Sequence, residues 1–268
     1  MRRHPLVLGT ALLVALLAGL ALFAPLLAPA PPTQQVLREG LQGPSLAHPF
    51  GQDRLGRDVL SRVLFGGRVS LLVAIVAVGV SLTVGLLIGA AAGLYGGWMD
   101  EAAMRAVDIL QAFPGILLAI ALAAILGPSL TNVILALSAI GWVGYARLAR
   151  GQVLVVREAE FVAAATALGA GPGRLLFRHL LPNILGPITV EATFGLAGAV
   201  VAEASLSFLG LGAQPPTPSW GAMLNEGRQY LLVAPHLTLF PGLCVSATVL
   251  AFNFLGDGLR DLTDPRRQ

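Results

Sequence analysis

The sequence predicts an all-α integral membrane protein with six transmembrane helices. Of its 268 residues, 56% are hydrophobic and only 12% are charged, against about 25% charged in a soluble domain. The mean hydropathy is +0.79. The apolar residues are gathered into six long runs, each near the ~20 residues that cross a hydrocarbon core about 30 Å thick. So few charges cannot coat a soluble core with polar surface.

The first run, residues 6–28, follows Arg2, Arg3 and His4. Its basic start and Ala28-Pro29-Ala30 resemble a signal peptide, but the run is longer than the roughly 7–15 apolar residues of one, which favours a retained span. Residues 51–68 then read as an outer amphipathic helix with Arg54, Arg57, Asp58 and Arg62 on its polar side. It would brace the outer face or offer a contact surface there. The second span is 69–94. The third, 109–126, starts just after Asp108. The fourth, 130–146, continues as helix toward Val156. The fifth, 184–206, is interrupted by Glu191 and Glu203. The sixth, 231–256, contains Pro235, Pro241, Gly242 and Asn253.

Arginine placement sets the orientation, because basic residues are held on the cytoplasmic side. Both termini then lie inside. Eleven Arg fall inside, among them Arg147, Arg150, Arg157, Arg174, Arg178, Arg266 and Arg267, and six outside, five of these in the first outer loop. All 17 basic residues are Arg. A phosphate-binding P-loop uses a Lys to reach the β/γ-phosphates, so any ATP is used by another subunit. The sequence pI of about 9.7 reflects these membrane-facing arginines, and nucleic acid is not implied. Metalloprotease, hydrolase and Cys-x-x-Cys motifs are absent. The four His are scattered and Cys244 is the single Cys, so the sequence calls for no metal, no cofactor and no disulfide within the chain.

Inside the spans, Gly85, Gly89 and Gly93 recur every four residues. On a helix they form one flat stripe that admits another backbone, on this chain or a second one. Ionisable residues in spans are costly and are candidates for function. Glu191 and Glu203 are twelve residues apart, about 120° around a helix of 3.6 residues per turn, so they do not form a paired-carboxylate site. Glu203 suits either a helix-to-helix hydrogen bond or the lining of a passage. Asp108, Arg105 and Glu101 are spaced for an interfacial ion-pair cluster.

Residues 160–183 form a short polar insert between spans 4 and 5. Phe161, Ala164, Ala165 and Leu168 share one face at helical spacing, narrow enough to enter a groove. Gly169 stands where a left-handed cap ends a helix, and Gly171-Pro172-Gly173 breaks the chain. Residues 174–181 read as a second short helix, and Pro182 suits the first turn of span 5. The alternative is a plain surface linker with its Arg at the headgroups.

This insert resembles the EAA motif of ABC importer permeases through Ala164, Ala165, Gly169, Leu181 and Pro182, with Ala163 at the usual Glu position and His179 at the usual Ile. Four further blocks resemble the dipeptide/oligopeptide/nickel subfamily: Phe-Gly-Gln-Asp-Arg-Leu-Gly-Arg-Asp-Val-Leu-Ser-Arg at 50–62 with Gly67-Arg68-Val69-Ser70-Leu71, Glu-Ala-Ser-Leu-Ser-Phe-Leu-Gly-Leu-Gly at 203–212, Phe-Asn-Phe-Leu-Gly-Asp-Gly-Leu-Arg-Asp at 252–261, and Asp264-Pro265-Arg266. The resemblance implies a type I (MetI-like) importer permease of the prokaryotic inner membrane. An N-terminal unit, 1–68, would precede a five-helix domain, 69–268, with the coupling loop at 157–182. It also implies a homologous permease partner, two ATPase subunits and an extracytoplasmic binding protein. Glu160, Ala164, Ala165, Gly169, Leu181 and Pro182 would contact the ATPase, while Glu191, Glu203 and Asn253 would be pathway or structural residues. Peptides are the implied cargo, with nickel or another small solute as the alternative. An ion-coupled carrier usually has more intramembrane charge and internal repeats, and an intramembrane hydrolase would need a Ser partner for His236.

Overall fold

A computed structural model describes residues 4–263. The expectations that fall on Arg2, Arg3, Asp264, Pro265, Arg266 and Arg267 lie outside the described residues. The chain is almost wholly helical: α1 His4–Leu22, α2 Ala24–Leu27, α3 Val59–Tyr95, α4 Gly97–Gln111, α5 Gly115–Leu126, α6 Leu130–Arg157, α7 Glu160–Ala167, α8 Pro172–Arg174, α9 Leu181–Phe208, α10 Trp220–Gly227 and α11 His236–Thr263.

Each of the six apolar runs contains helix, but not each is one straight span, and the sixth becomes helical only from His236, residues 231–235 being non-helical. Four helices are long and apolar enough to cross a membrane: Val59–Tyr95, Leu130–Arg157, Pro172–Phe208 and His236–Leu262. The run at 109–126 is broken instead. Gly97–Gln111 and Gly115–Leu126 meet at 85°, because Pro114 disfavours helix at the residue before it and has no N–H to continue a ladder. The pair counts as a fifth candidate if taken as one bent span. The first run is interrupted near Phe23, two residues before Pro25, leaving Val7–Leu22 as a shorter apolar helix.

The core is built around α3, which packs along α6 and also touches α9, α1 and α11. The glycine stripe makes the α3–α6 contact. A Cβ on Gly85 would strike the Trp142 carbonyl oxygen, one on Gly89 the Ala146 carbonyl, and one on Gly93 would lie 2.9 Å from Val153 Cγ1. The helix the stripe accepts is therefore in this chain.

At the end of the bundle remote from the 160–183 insert, the structure corrects the expectation for 51–68. Residues 51–58 are not helical. Asp58 caps α3, its carboxylate accepting from Ser61 N–H at 2.7 Å. Residue 68 lies inside α3, so the proposed 1–68 unit and the five-helix domain share one helix. Arg57 and Arg62 are not on a solvated face but buried. Arg57 Nε donates to Asp53 at 2.6 Å and its Nη2 to Glu226 of α10 at 2.6 Å. Arg62 pairs with Asp53 and donates to Glu226 at 2.8 Å. Two cations and two carboxylates thus neutralise one another, three of them buried and Glu226 partly accessible, a balance that local helical periodicity does not reveal. His48 contacts Asp58 at 2.8 Å, and Phe50 stacks on Phe240 at 3.8 Å.

Burial raises the pKa of Asp53, but Arg62, Arg57 and two backbone N–H groups outweigh it and hold the carboxyl below the usual value. A depressed carboxyl stabilises the fold above the unfolded value, near pH 4, and the contribution is lost as pH falls through the lower folded value. Asp53→Asn is expected to cost about 3 kcal/mol, since it leaves buried arginines short of a partner. Thermal denaturation in detergent at pH 7 measures this, and the gap between the two proteins should narrow only below about pH 4.

Candidate functional site

Two regions of the bundle combine features that packing alone does not require. The first is the insert. Glu160–Ala167 forms α7 as expected, and Gly169 follows at φ +84°. Its N–H donates to Thr166 O at 2.9 Å, and Ala170 N–H reaches Ala165 O at 3.0 Å, which closes the helix in the manner of a glycine cap. Val162, not the expected face, is the inward anchor. It is buried with Leu175, Leu176, Leu180 and Ile184 against Val153 of α6. Ala165 packs partly on this cluster, while Phe161, Ala164 and Leu168 remain exposed. Leu168 is 89% exposed, a cost that a free surface does not explain.

The second half of the insert is not a separate helix. Pro172–Phe208 is one continuous helix, with Gly171 at its N-terminal cap and Pro172 in the first turn. It continues past Pro182 through a wide π-helical turn at Leu175–Leu180, where Leu181 N–H bonds to Leu176 O. Pro182 cannot donate and its ring crowds the carbonyl four residues back. The wider turn relieves that crowding without ending the helix. Asn183 Nδ2 donates to His179 O at 2.6 Å, and the His179 ring lies 6.5 Å from Phe161. The insert is thus tied to the base of α9 both through the backbone and through the Val162 cluster.

Ion pairs hold α4 to α6 at the same end. Arg150 grips Asp100 with two bonds, 2.5 and 2.6 Å, and Arg147 pairs with Asp108. Arg157 donates to Gly93 O at 3.1 Å. The spacing of Glu101, Arg105 and Asp108 suggested partners within one helix. The folded chain supplies Asp108 with a partner 39 residues away instead. No local pattern could have shown the Asp100–Arg150 pair.

The second region is a cavity of about 710 Å³ bounded by α3, α5, α6, α9 and α11. Its wall is largely apolar and small, with polar groups from Ser81, Tyr145, Glu191, Ser205 and Asn253. Glu191 and Asn253 therefore reach one space from two helices. Tyr145, which no motif singled out, stands beside them, with its buried hydroxyl against Gly195. Glu203 points elsewhere, as the 120° separation requires. It is fully buried, accepting from Ser207 Oγ at 2.6 Å. Ser70 of α3 and Ser219, the cap of α10, flank it. Polar side chains of α3, α9 and the α10 cap thus gather around Glu203 outside the cavity, the carboxylate's hydrogen bond being to Ser207 within α9.

Comparison with known proteins places this arrangement. Residues 85–268 match the family described as binding-protein-dependent transport system inner membrane component. The glutathione transport system permease protein GsiD of Escherichia coli O1:K1 / APEC is 48% identical over 266 residues, covering 99% of this chain and 88% of that protein. The dipeptide transport system permease protein DppC of Alkalihalophilus pseudofirmus is 48% identical over 247 residues, 92% of this chain and 81% of the relative. Among solved structures, an inward-facing MetNI methionine ABC transporter chain matches with a TM-score of 0.60 at 21% identity, covering 75% of this chain and 96% of that one. That likeness supports the fold.

Proposed function

Because the chain belongs to the family of binding-protein-dependent transport system inner membrane components, we propose that it is the membrane-spanning subunit of an ATP-driven importer of short peptides. Relatives named for glutathione and dipeptide transport support that cargo. In this reading a homologous permease completes the pathway, two ATPases dock on the insert, and a binding protein delivers solute from outside. The distribution of Arg supports an inner-membrane orientation with both termini and the insert inside. Hydrolysis is assigned to the ATPase subunits, since a P-loop lysine is not available in this sequence.

The observation that carries the proposal is the two-sided insert. Phe161, Ala164 and Leu168 face outward, while Val162 and the continuous helix from Pro172 join the insert to α9. Glu160, Ala164, Ala165 and Gly169 would form the docking helix and its cap, and Leu181 and Pro182 the transmitting joint. ATP-driven closure of the ATPases would draw the inserts together, and α9 would carry that movement to the cavity wall at Glu191. The experiment is purification of the tagged chain in mild detergent. ATPase subunits and a second permease should come down with it, and the reassembled complex should take up dipeptide only with ATP and binding protein. A chain that purifies alone and transports without ATP would overturn the proposal.

A further inference from the structure

One charged side chain lines the cavity, and nothing described in this chain answers it. Glu191 is solvent-accessible on α9, and its carboxylate has neither a hydrogen bond nor an ion pair among the described residues. No arginine lines the space. The Tyr145 side chain is 95% buried, its hydroxyl has no partner, and it is close enough to interact electrostatically with Glu191. Asn253 brings an amide to the same space from α11. A carboxylate within a span is costly unless it faces a partner or an aqueous path. The volume of about 710 Å³ falls in the range of about 300–1,000 Å³ typical of small-molecule sites.

We propose that Glu191 makes this cavity selective for solutes bearing a primary ammonium group, and that it receives the amino terminus of an unblocked peptide in transit. The inference rests on the importer reading above. A carboxylate set in a largely apolar wall attracts an ammonium and repels an anion, the more strongly the less water lies between them. Asn253, which is partly exposed in the cavity wall, can hydrogen-bond a neighbouring amide of the solute. A single point of charge contact also suits a passage, which must bind weakly enough to release.

The test uses the assembled complex in proteoliposomes with two substitutions, Cys244→Ser and Gly198→Cys. Gly198 lines the same cavity seven residues after Glu191, and a Cβ there meets nothing within 4 Å. Seven residues are about 10 Å along the helix, on nearly the same face. The new thiol is treated with thiosulfonate reagents of similar size, one cationic and one anionic. Adding Glu191→Gln should lower the cation-to-anion rate ratio about fourfold even if the path has the dielectric constant of water. Uptake of Ala-Ala should fall about tenfold or more in Glu191→Gln, recover in large part in Glu191→Asp, and leave ATP hydrolysis stimulated by loaded binding protein in place.

An unchanged rate ratio overturns the inference, as does unchanged Ala-Ala uptake. A Glu191→Gln complex that fails to assemble also overturns it, by giving the carboxylate a structural task. Failure of the importer reading looks different: the unmodified complex shows no ATP-dependent uptake of Ala-Ala, while the thiol ratio still reports whether Glu191 selects cations.

Discussion

Gly169→Val is expected to lower peptide uptake about tenfold while the protein still reaches the membrane in normal amount. Gly169 sits at φ +84°, and a Cβ there would meet nothing within 4 Å. The substitution therefore introduces no clash. It opposes only the left-handed backbone, at about 1–2 kcal/mol, and more for a β-branched side chain. That strain falls on the bonds that close α7, Gly169 N–H to Thr166 O and Ala170 N–H to Ala165 O. It is large enough to shift a docking equilibrium by a factor of roughly 5–30 and too small to unfold the bundle. ATP hydrolysis should lose its dependence on loaded binding protein in step with the lost uptake. Gly169→Asn is the control, since Asn tolerates the left-handed region, and it should transport near the wild-type rate. Proteoliposome uptake of Ala-Ala beside ATP hydrolysis reads both variants. A valine variant that transports normally would remove the coupling role from this turn.

Gly89→Leu is expected to damage the fold severely. The added Cβ would overlap the carbonyl oxygen, carbonyl carbon and Cα of Ala146. These are backbone atoms, so no rotamer change relieves the contact and α3 and α6 must separate. Overpacking typically costs 1–3 kcal/mol, and a clash with backbone belongs at or above ~3 kcal/mol on that scale. The displaced stretch of α6 includes Tyr145, so the cavity wall would move as well. Gly79→Leu on the same helix is the comparison. Gly79 is exposed with nothing within 4 Å of a Cβ, so this change should stay within about 0.5 kcal/mol. Thermal inactivation of the purified complex and the amount recovered from membranes measure the pair. Equal stability of Gly89→Leu and Gly79→Leu would contradict the close α3–α6 approach.

The parts of the fold that were legible from residues are those governed by short-range rules. Apolar runs gave the helices, and the four-residue glycine spacing gave a flat packing face. Gly169 at the end of an eight-residue helix gave its cap. The separation of Glu191 and Glu203 follows from helical rotation alone. A proline inside or beside an apolar run does not by itself fix the outcome. Pro114 broke the third run into two helices at 85°, whereas Pro182 was absorbed by the wide turn at Leu175–Leu180. Both prolines lack an N–H. What differs is how the surrounding helix rearranges around the lost bond.

By itself, then, the sequence marked this chain as a membrane protein, located most of its long apolar helices and the polar insert at 160–183, and carried the blocks by which it resembles its family. These follow from composition, periodicity and motif blocks, all of which act over a few neighbouring residues. Only the tertiary structure decided that the glycine stripe faces α6, that buried Asp53, Arg57 and Arg62 pair with the partly exposed Glu226, and that Asp100 meets Arg150. It alone placed Tyr145, Glu191 and Asn253 around one cavity and Glu203 in a buried polar cluster outside it. Among these contacts, Asp100 to Arg150 and Arg57 to Glu226 join residues 50 and 169 positions apart. Their partners are fixed by how helices cross, which no local spacing encodes.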